Sequence, residues 1–262
     1  MSDFFRECET ISSIEDLLDK VNSLLAGYSI DSAYLRGQAD YAWGLRPTIS
    51  RRLPYAGFET QGYDKDRENN LLHRFRRYAR AFLERDVDER ELVFLARHHG
   101  IPVRLLDWTS NPLVALYYAC VDDGKLNKDG SVWVFLRRKH PKREDYYDIY
   151  DSNWPPPLEV KGVKIIYAPY VSPRIPAQSG HFTTQADPDK EIETYDPSNY
   201  EVKDFDVEKI EKWKIPSGKK TDFILQLERC GINERALFPD LDGIARSIVR
   251  TEVLRTGLSI AL

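Results

Sequence analysis

Two short stretches hold the residues best equipped for chemistry. YLRGQ (34–38) sets Arg36 beside Gly37 and Gln38, and Trp43 and Arg46 follow within W-x-L-x-P (43–47). RLLDWTSNP (104–112) sets Arg104, Asp107, Trp108, Thr109, Ser110 and Asn111 directly ahead of the apolar run LVALYYAC. A guanidinium donates two parallel hydrogen bonds and keeps its charge, which suits a phosphate or diphosphate. The hydroxyls of Thr109 and Ser110 can orient a carboxylate or an amide, and Trp43 or Trp108 can stack on a base.

Two further clusters invite a metal. His98-His99 closes DERELVFLARHH (88–99), but successive helical residues diverge by about 100°, so one ion seldom takes both. The simpler arrangement has one histidine lining a pocket and the other capping the helix, with His99, beside the turn implied by Gly100, as the pocket residue. FPDLDG (238–243) offers carboxylates for a cation, or an N-cap in which Asp240 or Asp242 starts the next helix. No metal is expected from these patterns. The chain has no GxxxxGK[ST], GxGxxG or GxSxG motif. That argues against a P-loop NTPase, a Rossmann dehydrogenase and a serine hydrolase.

The elements that must hold these residues follow from periodicity and punctuation. Ser12 to Leu25 aligns Ile14, Leu17, Leu18, Val21, Leu24 and Leu25 on one helical face, with Ser12 and Glu15 as a capping box. Further helices are predicted over 66–84, over 88–99 with a stop at Gly100, and from FILQLERCGI and DLDGIARSIVRTEVLRTG. Strands are predicted at 32–37, 131–136 and 163–168. Asn111 and Pro112 stand where a cap and a first-turn proline belong, so 113–121 reads as a buried helix. The cluster Asp107 to Asn111 therefore meets a helix N-terminus, whose free N–H groups and positive dipole end favour an anion. Plain capping would use the same residue types. The expected architecture is an N-terminal helical segment (1–29) and one α+β domain (30–262). Its sheet is mixed or mostly antiparallel and flanked by helices, with surface insertions near 137–162 and 185–206.

Bulk properties narrow the classes further. The chain has 262 residues, 42% of them hydrophobic, and a net charge of -4, which gives no global push towards nucleic acid or acidic membranes. Charge is uneven: Arg46 to Arg104 carries twelve Arg and one Lys against nine carboxylates, and 187–206 is acidic. These are two solvated faces, or a basic patch serving an anionic ligand. Cys8, Cys120 and Cys230 lie far apart without a CxxC pair, against a disulfide framework or a zinc ribbon. The stretch MSDFFRECETISS has no apolar run of signal-peptide length and no segment reaches membrane-span length, so a cytoplasmic protein without a membrane partner is expected.

YLRGQ with W-x-L-x-P, LARHHGIPVRLLDWTSNPLVALYYA (95–119) and GINERALFPDLDGIA (231–245) together resemble the FRG-domain family, with Leu35 where that family has an aromatic before Arg-Gly. The order of elements is also similar, more faintly, to the ADP-ribosyltransferase fold. There an early strand ends in an Arg or His that grips NAD, a Ser-Thr-Ser-like segment leads into a helix, and a Glu near the start of a later strand completes the site. This resemblance implies NAD as substrate. Arg36 would be the gripping residue, with Gly37, Gln38, Trp43, Arg46, His99, Arg104, Asp107, Trp108 and Asn111 around the ligand and Thr109 and Ser110 before the helix. Cleavage between ribose and nicotinamide develops oxocarbenium character, which a nearby carboxylate offsets. Gln178 stands where the order expects that Glu. Glu234, with Asp240 and Asp242 behind it, and Asp107 are the carboxylates that could replace it.

Three functions fit these observations. One is an NAD-dependent ADP-ribosyltransferase or NAD glycohydrolase, whose acceptor is a protein, a nucleic acid, a small molecule or water. The resemblance admits a bacterial toxin or antiviral effector of that kind. Another is a non-catalytic module binding a nucleotide or nucleic acid, as Gln178 and the arginine-rich 46–104 region would suit. The third is a metal-dependent nuclease using His99 and the aspartates near 240.

Overall fold

The computed structural model describes residues 4–28, 32–51, 62–83, 86–138, 160–166 and 170–256. At its centre runs β2 (Ala33–Gln38), antiparallel to β4 (Gly130–Arg137) on one side and β3 (Leu106–Thr109) on the other. Beyond β4 lie β7 (Val207–Ile215), antiparallel to it, and β1 (Phe5–Thr10), parallel to β7. Beyond β3 lie β6 (Gly180–Gln185) and β5 (Val163–Ile166), both antiparallel. The order is β1-β7-β4-β2-β3-β6-β5, an open and mostly antiparallel sheet in one α+β domain.

Helices α1 (Ile14–Leu24), α4 (Pro112–Cys120), α6 (Lys220–Arg229) and α7 (Glu234–Leu237) cover one face. Their apolar residues join Leu35, Val132, Val134 and Trp213 in one core. Helix α4 is buried almost all round because it crosses directly over β2. A Cβ on Gly37 would stand 1.8 Å from the Ala115 carbonyl oxygen, so only glycine permits this approach. Asn111 caps α4 through the Leu113 N–H and Pro112 takes the first turn, as the sequence predicts.

The opposite face is roofed by residues 187–205, whose Ile192, Tyr195 and Phe205 bury against Tyr34, Trp108, Trp133 and Phe135. This stretch is irregular, as expected of an insertion, but it supplies core side chains rather than only surface. Most of the other expected insertion, 139–159, lies outside the described residues. A third core joins α2 (Lys65–Ala79) and α3 (Glu89–His98) to the β5–β6 end of the sheet, through Leu72, Phe94, Ile166 and Phe182. A short helix α5 (Arg174–Ala177) stands between β5 and β6, and α8 (Leu241–Thr256) follows α7.

Several local expectations shift. The cap of α1 is Ser13, which accepts from Asp16 N–H, while Asp16 accepts from Ser12 N–H at 2.8 Å; Asp16 thus plays the part expected of Glu15. Helix α2 ends at Ala79 and gives way to a tight turn, Arg80–Phe82, short of the predicted Glu84. The N-terminal stretch holds strand β1 as well as its helix, and Asp107 to Thr109 are strand residues in β3.

Candidate functional site

Three neighbouring strands open onto one cavity of about 480 Å³, a volume typical of small-molecule sites. Strand β2 contributes Arg36 and Gly37; β3 contributes Asp107, Trp108 and Thr109; the turn into β6 contributes Gln178, Gly180 and His181. Across from the sheet stand Arg97 and His98 from α3, Tyr118 from α4, Arg174 from α5, and Phe238. Antiparallel pairing does the positioning: Leu35 lies opposite Thr109, and Trp108 opposite His181. Ser179 holds a left-handed backbone (φ 47°) at the bend that brings Gln178 to the cavity.

Asp107 is the only carboxylate lining the cavity among the described residues, and two guanidiniums claim it. Arg97 donates to its Oδ2 from Nε at 3.2 Å and again from Nη2. Arg36 Nη1 donates to the Asp107 carbonyl at 2.6 Å and lies 3.7 Å from Oδ2. Burial pushes the carboxyl upwards, but the charges of Arg97 and Arg36 outweigh it and hold the group below the ordinary carboxylate range. Arg36 is the less satisfied cation. Its buried Nε has no hydrogen-bond partner among the described residues. Burial lowers its pKa to about 9, with Arg51 repelling it, Asp107 attracting it and Arg97 repelling it in turn. An anion brought to Arg36 would supply both the missing acceptor and the missing charge.

The rest of the lining is aromatic or cationic. Arg174 donates to Asp240 at 2.9 Å and lies 5.2 Å from the Phe238 ring centre. His98 sits below its ordinary pKa because of burial and the neighbouring His99 and Arg174, so its imidazole is neutral near pH 7. Burial and the Asp107 charge hold the Tyr118 hydroxyl protonated. Thr109 is spent on structure: its hydroxyl donates to the Gln178 carbonyl at 2.7 Å and accepts from Asn111 N–H. The Gln178 amide donates to the Leu237 carbonyl at 2.9 Å.

Among the residues singled out in the sequence, the cavity gathers Arg36, Gly37, Asp107, Trp108, Thr109 and Gln178. The others stand elsewhere for evident reasons. Gln38 is buried between Trp133 Nε1 and the Gly44 carbonyl. Trp43 is partly exposed under Lys125, and Arg46 faces Glu191. Arg104 is locked to Glu68 in the core. The Trp108 ring faces the opposite core, with Nε1 donating to Thr183, so it offers no stacking surface. Ser110 is exposed and Asn111 caps α4. Glu234 is buried against Arg250 Nε, away from the cavity. The histidines exchange their expected parts: His98 lines the cavity, and His99 is the exposed C-cap of α3. Asp240 pairs with Arg174 and Asp242 is exposed. Among the described residues no three His, Cys, Asp or Glu gather to hold a metal ion, and no helix is long and apolar enough to cross a membrane.

Arg97, His98, Tyr118, Arg174, His181 and Phe238 also line the cavity, without having been selected from the sequence for it. Only His98 carried a local signal, as half of the histidine pair. Arg97 looks like any helix-end cation until the turn at Gly100 returns the chain to Asp107.

Residues 31–128 match the family model of the FRG domain, the family that the YLRGQ and LLDWTSNP stretches resemble. The match takes in Arg36, Arg97, His98 and Asp107 and leaves Arg174, Gln178 and Phe238 outside it. No curated protein and no solved structure matches the chain.

Proposed function

We propose that this chain binds NAD in the Arg36 cavity and cleaves its nicotinamide–ribose bond, transferring ADP-ribose to an acceptor or to water. The observation that carries the reading is the under-satisfied Arg36 guanidinium beside Arg97 and Asp107, in a cavity that also receives Thr109 and Gln178. The faint resemblance to the ADP-ribosyltransferase fold supports it through the order of those residues.

In this reading Arg36 and Arg97 take the diphosphate as planar, bidentate donors. Their hydrogen bonds shift from Asp107 to phosphate oxygens, and the released carboxylate offsets the positive charge that grows at the ribose carbon. The bond from ribose C1′ to the pyridinium nitrogen breaks and its electron pair leaves with neutral nicotinamide. A lone pair of the acceptor closes the new bond to C1′, and the acceptor's proton passes to solvent. Gln178, whose amide is held by Leu237, supplies no charge to this step.

A second reading rests on the same pairing: a carboxylate gripped by two guanidiniums and a Gln at the third position suit a module that binds the nucleotide without turning it over. Incubation with NAD, following nicotinamide release and NAD binding in parallel, separates the two. Release that vanishes in Arg36→Ala supports the transferase. Binding lost in Arg36→Ala with no release from the wild type supports the module. Neither binding nor release sinks both.

A further inference from the structure

Outside the cavity, a local excess of positive charge lies on the last turns of α2. From His73 to Phe82 the chain carries four arginines and no carboxylate, within a protein of net charge -4. The helix turns Leu72 into the core and half-buries Phe75, which leaves Arg74, Arg77, Tyr78 and Phe82 facing out. Tyr78 is 62% exposed and Phe82 88% exposed, unusual values for side chains of that size. Arg76 is engaged by Glu89 at 3.8 Å and by the Val87 carbonyl, and Arg80 by Asp86 at 3.4 Å. Arg77 lies over the Tyr78 ring at 4.8 Å and donates to its hydroxyl, while Arg74 has no ion partner among the described residues.

We propose that this surface binds a single-stranded nucleic acid, with Arg74 and Arg77 on its phosphates and Tyr78 and Phe82 stacking on its bases. Two exposed rings beside two arginines that have no carboxylate partner among the described residues are the combination that single strands use, because every unpaired base offers a π-face and every linkage a negative charge. A duplex keeps its base faces stacked inside and would leave the rings idle. An acidic membrane would need an apolar stripe on the same helix face, but the aliphatic residues of α2 turn to the core. The proposal goes beyond the cavity reading and does not require it. The two regions are near neighbours all the same: Phe75 of α2 lies 6.0 Å from the His99 ring, next to His98 at the cavity wall.

The test is fluorescence anisotropy with labelled mixed-sequence DNA and RNA strands, read against salt, for the wild type and two double variants. Arg74→Glu/Arg77→Glu should weaken binding at least about tenfold and flatten the log–log salt slope by about 1.4, for two phosphate contacts on a single strand. Tyr78→Ala/Phe82→Ala should weaken it about fivefold or more with the slope unchanged. All four side chains are exposed, so melting temperature should hold, and NAD binding by both variants should match the wild type. Tighter binding of one strand chemistry would say whether DNA or RNA is the partner. No binding at about 50 mM salt, binding indifferent to both variants, or a preference for duplex would overturn the proposal. Binding to anionic vesicles instead of strands would overturn it equally. None of these outcomes bears on NAD, whose failure would show separately in the Arg36 assay.

Discussion

Arg104 and Arg36 both stand in motif stretches, both meet a carboxylate from elsewhere in the chain, and the fold uses them in opposite ways. Arg104 is buried with Glu68, which has no exposed surface; its N–H and Nε donate to that carboxylate at 2.8 and 3.0 Å. Tyr63 closes the set, donating to Glu68 at 2.8 Å with its ring 4.8 Å from the guanidinium. Around Arg36 the stoichiometry is reversed: two guanidiniums share Asp107, the cluster opens on a cavity, and one buried N–H has no partner among the described residues. A matched pair with its donors filled joins helix α2 to the chain before β3, whereas an excess of cation over anion at a concave surface asks for a ligand. Residue type is the same in both places, and partner count separates them.

Arg104→Ala should therefore cost the most stability of any change considered. It would leave Glu68 charged and buried without its partner, a loss of about 3–5 kcal/mol. For a chain of this size that is a fall in Tm of roughly ten degrees or more by calorimetry. Arg36→Ala leaves Asp107 its Arg97 partner and should barely move Tm, while abolishing NAD binding. An Arg104→Ala protein that melts like the wild type would break the distinction between the two clusters.

Asp107→Asn sharpens the other side of the comparison. Removing the one negative charge from the cavity should tighten binding of inorganic pyrophosphate by about an order of magnitude, since two guanidiniums lose their competitor. The same change should eliminate nicotinamide release. Its stability cost should depend on pH with a definite sign. The Asp107 carboxyl lies below its ordinary value, so its contribution is full above the unfolded pKa near 3.9 and fades as pH falls through the folded value. The Tm gap between wild type and Asp107→Asn should then narrow in acid and stay constant from about pH 6 upwards. Pyrophosphate binding weakened by Asp107→Asn would mean that Asp107 orients the arginines rather than competing for them.

What sequence could reveal follows the same division. Elements with local signals were legible: Asn111-Pro112 announces α4, Gly100 ends α3, and Ala33 to Gln38 and Gly130 to Arg137 form strands where the apolar runs suggest them. Strand β7 was hidden because charged residues take buried positions in it. Lys212 faces inward and is accommodated by the rings of Tyr41 and Trp133 at 4.2 and 4.6 Å, which blurs the apolar alternation. Strand β3 is four residues long with an aspartate in it, so it read as a polar prelude to α4. In the site, Arg36 and Asp107 stood out in their own motifs. Arg97 has only the pattern of a helix-end cation, Arg174 and Phe238 come from distant segments brought in by packing, and nothing local distinguishes Glu234, a buried partner of Arg250, from a carboxylate in a cleft.

The smallest expected effect concerns a carboxylate that, among the described residues, is paired with no guanidinium of the kind that both Glu68 and Asp107 have. Glu193 accepts the Leu45 N–H with both oxygens, at 3.2 and 3.1 Å, and sits close to Glu191. Burial raises its pKa to about 7; the backbone hydrogen bonds and Lys212 oppose the rise, and Glu191 adds to it. The fold therefore binds a proton here that the unfolded chain has released, and stability falls as pH rises from about 4.5 to about 7. Glu193→Gln keeps an acceptor for Leu45 and removes the charge, so it should raise Tm by a few degrees at pH 8 and by nothing near pH 4. A gain of equal size at both pH values would trace the effect to packing. No gain at pH 8 would mean that Lys212 balances the carboxylate as fully as Arg104 balances Glu68, and that counting guanidiniums alone misjudges this fold's buried carboxylates.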